Sequence, residues 1–204
     1  MSIESHLYGT PIIRPLIYQF QNDVNTDTAS FEFMLGPFLL VASVIESNAT
    51  ERTLYLPDNQ GLWCDIWTGK WYECSKTITV SVPLEQHGAV FAQQGSMIPM
   101  MNVMRYIGAI PDKTRIVWLF PRMSLVLFKA PNKDHVSEWI WYEDDGESLH
   151  APLTQIKLVM KSTSNSVHVE LTILEHGFPL PYDFVSFKLP VNDDRLLPEP
   201  ICVK

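Results

Sequence analysis

Carboxylates, indoles and imidazoles are the side chains here whose types and spacing bear on chemistry. The densest acidic run is Glu143-Asp144-Asp145-Gly146-Glu147. Paired carboxylates do acid/base work or hold calcium through oxygen ligands. The same run is also a hairpin signal, because Asp-Gly after an aromatic strand supplies the positive φ that such turns need. It lacks the alternating oxygen ligands of a helix–loop–helix calcium site. Trp63-Cys64-Asp65 sets an acid beside an indole, and Asp65 reads either as a reacting carboxylate or as one bonding backbone amides in a turn. Trp63, Trp67 and Trp71 recur every fourth residue, which on one continuous strand puts them on one face. A row of indoles stacks on sugar rings, or it fills a core, since aromatic side chains bury large areas. Trp139 and Trp141 carry the same two readings.

Other chemistry is poorly provided for. The six histidines, His6, His87, His135, His150, His168 and His176, show none of the spacings that bind metal. No metal site and no cofactor are expected. His168 and Glu170 share a strand face as a surface pair, and Ser96 reads as a turn residue. There is neither a G-x-S-x-G elbow nor a glycine-rich phosphate loop. Cys64, Cys74 and Cys202 form no disulfide framework. Cys64 and Cys74 either pair across adjacent strands or stay as thiols in a reducing compartment.

A net charge of −8 without any Lys/Arg cluster opposes binding to a phosphate backbone. Nucleic acid is not an expected partner. No apolar run approaches the ~20 residues that cross a bilayer, so no membrane is expected either. The start of the chain lacks a basic segment leading into an apolar one, which leans the localisation towards the cytoplasm. Asn48-Ala49-Thr50 fits a glycosylation acceptor triplet.

The elements that must position these residues are strands. Thr77 to Val82 and Ser166 to Leu174 alternate polar and apolar residues at period two, as half-buried strands do. Ile116 to Phe120 and Leu125 to Phe128 are short apolar runs, read as neighbouring strands buried on both faces. Glu138 to Tyr142, Leu39 to Ile45 and Arg52 to Leu56 complete the set. Fifteen prolines leave little room for helix. One helical turn is expected from Asp27 to Leu35, with Asp27 or Thr28 as N-cap and Gly36 at the left-handed C-terminal position. The fold class is all-β: two consecutive antiparallel β-sandwich domains, residues 1–102 and 103–204, with at most one or two short helical turns. The boundary is placed between Met100 and Lys113, where Pro111-Asp112-Lys113 restarts the strand pattern.

Five phrases, in register, resemble the C-terminal region of glycoside hydrolase family 31. They are Gly9-Thr10-Pro11-Ile12-Ile13-Arg14-Pro15-Leu16; Phe33-Met34-Leu35-Gly36 running on to Val44; Tyr55-Leu56-Pro57 followed by Trp63-Cys64-Asp65-Ile66-Trp67-Thr68-Gly69; Val82-Pro83-Leu84 with Gln94 to Pro99; and Tyr142 to Ser148. Pro37, where the family has a polar residue, and Ser43, where it has proline, are departures.

The resemblance implies a retaining α-glycosidase of the α-glucosidase and α-xylosidase kind, whose two aspartates lie in a (β/α)8 barrel. Retention needs two carboxyl groups about 5–5.5 Å apart, and a barrel needs ~250 residues, more than the 204 given. The expectation is therefore an accessory region without the catalytic site. A catalytic barrel, as domain or separate chain, is the implied partner. Its first sandwich would meet the barrel through an exposed apolar segment from His6 to Gln19, and its second would buttress the first. A sugar-binding module using Trp63, Trp67 and Trp71, with oligosaccharide as partner, is the rival.

Overall fold

The computed structural model describes residues 2–86, 88–100, 114–120, 135–146, 148, 150–197, 199 and 201–202. The expected strand at Leu125 to Phe128, most of the stretch assigned to the boundary, and Glu147 and His87 lie outside them. The chain divides into two compact units. One is Met1–Gln94 with Pro190–Asn192, the other Gly95–Leu189 with Asp193–Lys204.

The first unit opens with a helix α1 (Ser2–Tyr8), a strand β1 (Ile13–Pro15) and a short helix α2 (Leu16–Gln19). Strands β2 (Glu32–Leu35), β3 (Leu39–Ala42), β4 (Glu51–Leu56), β5 (Leu62–Asp65), β6 (Trp71–Glu73), β7 (Lys76–Ser81) and β8 (Ala89–Gln93) follow. Six of them form one sheet in the order β1-β2-β3-β8-β5-β6, and β4 pairs with β7. Alternation decides which side chains turn inward. In β4, Leu54 and Leu56 are buried while Glu51 and Thr53 face water. They join Met34, Leu40, Trp63 and Phe91 in one core.

The second unit contains β9 (Met97–Met100), β10 (Thr114–Leu119), β11 (His135–Glu143), β12 (Thr154–Ser162), β13 (Val167–His176), β14 (Phe184–Lys188) and β15 (Ile201–Cys202). Its sheets are β15-β14-β10-β9 and β11-β12-β13. The β10–β14 pairing is parallel, as is an isolated bridge between Ser166 and Leu196; the other strand pairs among the described residues are antiparallel. Ile156, Leu158 and Met160 of β12 meet Val117, Leu119 and Val185 of the facing sheet in the core. β12 alternates almost perfectly, with Thr154, Ile156, Leu158, Met160 and Ser162 all buried.

Two local expectations fail. No helix spans Asp27 to Leu35. A 3-10 turn, Val24–Thr26, comes first, with Asp23 accepting from the Asn25 N–H. Glu32–Leu35 is then strand β2, paired with both β1 and β3. Two neighbouring strands and the burial of Met34 outweigh the local capping signals, as tertiary context commonly does. Gly36 does take a positive φ, 61°, but in the turn from β2 to β3, where its N–H donates to Ile12 O. The Met97 to Pro99 phrase, placed in the first sandwich by the expected boundary at residue 102, pairs instead with β10 in the second unit. Met97 is buried in that unit's core.

Candidate functional site

The tryptophan row does not form. β5 ends at Asp65, and a turn intervenes before β6 begins at Trp71. In the β5–β6 register Cys64 lies opposite Trp71 and Trp63 opposite Tyr72. Directly opposed residues share a face and successive ones alternate, so Trp63 and Trp71 point to opposite sides. Trp63 is wholly buried, its indole N–H donating to Pro57 O at 2.9 Å. Trp67 sits in the turn, 44% exposed, and donates to Gly88 O. Trp71 is half-buried. Four-residue spacing implies one face only along an unbroken strand, and the D-x-x-T-G phrase is itself the break.

Asp65 builds that turn. Its Oδ1 accepts from the N–H groups of Trp67 and Thr68, at 2.9 and 3.4 Å, and its Oδ2 accepts from Thr68 Oγ1 at 2.9 Å. The carboxylate is nearly buried, and these bonds satisfy it locally. Asp65→Ala should cost about 2 kcal/mol by leaving those donors without an acceptor, and Asp65→Asn, which keeps Oδ1, about half that. Thermal unfolding measures both. Equal stability of Asp65→Ala and the parent would remove the turn role.

The acidic run divides as well. Glu143, at the end of β11, is largely buried and pairs with Arg115 at 3.0 Å. Asp144 accepts from the Gly146 N–H and Asp145 from the Ser148 N–H, both at 2.9 Å, with Gly146 at φ 69°. This is turn geometry. Among the described residues no group of three or more His, Cys, Asp or Glu is placed to hold a metal ion. His168 Nε2 lies 3.2 Å from Ser166 Oγ at the surface, with Glu170 exposed on the same strand. Ser96 is buried, and its carbonyl accepts from the Phe120 N–H. Cys64 and Cys74 are not joined in a disulfide; the Cys64 thiol donates to Asp65 O at 3.6 Å and the Cys74 thiol to Asp58 Oδ1 at 3.5 Å.

Two hubs were not foreseen. Asp23 accepts from the Tyr55 hydroxyl at 2.8 Å and from the N–H groups of Asp58 and Asn25. Burial works against its charge, but these donors prevail and hold the carboxyl below its usual range. Arg14 donates to Pro11 O, Gln19 Oε1 and Glu4 Oε2, tying α1, β1 and α2 together. Around it Leu7, Tyr8, Ile12, Ile13, Ile17 and Tyr18 are exposed, Tyr8 to 74% and Ile13 to 61%.

The well-buried carboxylates Asp65 and Glu143 thus serve a turn and an ion pair, and large apolar side chains between Leu7 and Tyr18 are exposed in the first unit. Residues 9–98 match the model of the glycosyl hydrolase family 31 C-terminal domain. The chain thus carries the C-terminal region of a family 31 glycosyl hydrolase. It is 30% identical over 169 residues to α-glucosidase 2 of Bacillus thermoamyloliquefaciens, covering 81% of this chain and 20% of that protein. It is 31% identical over 149 residues to the α-xylosidase of Saccharolobus solfataricus, covering 68% and 20%. A family 31 dextranase of Flavobacterium johnsoniae, solved with glucose, superposes with a TM-score of 0.74 at 28% identity, covering 91% of this chain and 22% of that one. The chain spans about a fifth of the length of these relatives.

Proposed function

We propose that this segment is the accessory, non-catalytic C-terminal region of a family 31 α-glycosidase, and that the catalytic barrel of that enzyme is its partner. The observation that carries the reading is the apolar face of α1, β1 and α2. Six large hydrophobic side chains between Leu7 and Tyr18 stand in water. Large apolar side chains exposed together within so short a segment are a mark of interfaces. Two further points support it. Asp65 and Glu143 serve a turn and an ion pair. The same region also recurs in enzymes named for glucosides, xylosides and dextran, which fits a role apart from choosing the sugar.

The purified chain should show no turnover of aryl α-glucosides or α-xylosides. A rate that follows the chain through two unrelated columns overturns the proposal. It should bind a hydrophobic dye, and an Ile13→Ser/Ile17→Ser double variant should lose roughly half of that signal. Undiminished dye binding would place the open apolar surface elsewhere. Titration with isomaltose separates the rival. Of the three tryptophans Trp67 alone is exposed, and a saturable fluorescence change at millimolar sugar would favour a binding module.

A further inference from the structure

Residues 190–192 follow β14 in sequence yet belong to the first unit. They lie against the turn that joins β5 to β6. Gly69 has φ 70° there, and a methyl group added to it would run into the carbonyl oxygen of Val191 and stand 2.8 Å from that residue's carbonyl carbon. Asn192 Nδ2 donates to Thr68 O at 3.3 Å. Pro190 is buried, while Val191 is half exposed. The geometry points to a strap: the Asp65–Gly69 turn is the seat for residues 190–192, and position 69 is glycine because backbone must approach there, over and above its φ. Tied among the described residues by that approach, a buried proline and a side-chain hydrogen bond, and with Val191 half exposed, the strap opens before the sheet beneath it does, as lightly tied segments do.

The two demands on a glycine separate cleanly. Asparagine tolerates a left-handed φ but brings a Cβ. Gly146 has nearly the same φ, 69°, with nothing within 4 Å of a Cβ position, and serves as the control.

The test is elastase, which cuts after small apolar residues, applied to the full chain, with cleavage at Val191–Asn192 read by mass spectrometry. Gly69→Ala and Gly69→Asn should both speed that cut at least roughly tenfold, and Gly146→Asn should leave it unchanged. Asn192→Gly keeps the backbone free to take its φ of 68° and removes the hydrogen bond; it should speed the cut several-fold, and it decides the matter if the position-69 variants do not fold. Cleavage of Gly69→Asn or Asn192→Gly at the parent rate overturns the strap. So does cleavage of the parent as fast as a free peptide of the same residues.

Discussion

Trp63→Ala is expected to destabilise the first unit by about 4 kcal/mol, the middle of the range for emptying a buried large aromatic site. The indole has no exposed surface and packs edge-on against Phe20, with ring centroids 6.1 Å apart. It sits in a core that also holds Leu16, Met34 and Phe91. Collapse into the void is limited, because Met34 and Phe91 are anchored on paired strands β2 and β8. Truncation also strips Pro57 O of the indole N–H. Trp63→Phe restores most of the packing but not that hydrogen bond, so its loss should be about 1.5 kcal/mol. Urea unfolding followed by circular dichroism measures both. A Trp63→Ala loss under about 1 kcal/mol, the size of an ordinary surface change, would put the indole at the surface and revive the sugar-stacking row.

The contrast between Trp63 and its two companions shows what a sequence can reveal and where it stops. Thr77 to Val82 and Ser166 to Leu174 were legible because one face of each strand meets water, so solvent writes the period-two pattern. β7 and β13 are found there, within two residues at either end. The family phrases were legible because they are local strings. What those strings do in space was harder to read. Asp65, Thr68 and Gly69 have the composition of a turn, and it is this turn that breaks the four-residue tryptophan spacing between β5 and β6. The Asp27 to Leu35 stretch failed for a related reason: caps are local signals, while β2 is set by partners at Ile13–Pro15 and Leu39–Ala42. The contacts of Asp23 and Arg115 are illegible in the sequence because the partners that matter lie far along the chain, unlike those of Arg14, which all fall within ten residues. Asp23 reaches Tyr55, and Arg115 reaches Glu143, 28 residues on.

Arg115 carries the other large effect. Its guanidinium on β10 pairs with Glu143 on β11, so the bond crosses between the two sheets of the second unit. It also lies over the rings of Trp141 and Tyr182, 5.8 and 5.0 Å from their centroids, and those rings are stacked on each other. Burial is the strongest influence on Glu143 and outweighs the pull of Arg115, so its carboxyl rises above the ordinary 4.5. The Tyr182 phenol is pushed up far more, by burial and by the Glu143 charge, and stays neutral throughout this range. A raised folded-state value means that the native protein holds this proton more tightly than the unfolded chain does. The stability it contributes is therefore complete below about pH 4.5 and is lost as pH rises through the raised value, the reverse of an ordinary paired carboxylate. Glu143→Gln should flatten that slope. Arg115→Ala removes the guanidinium that opposes the rise, leaving a buried carboxylate without its counter-charge at neutral pH. The expected loss is about 3 kcal/mol near pH 7 and distinctly less near pH 4.5, where the acid can go neutral. Denaturant unfolding at the two pH values separates charge from packing. Equal losses at both would mean that the guanidinium matters for the rings it covers and not for the carboxylate it faces.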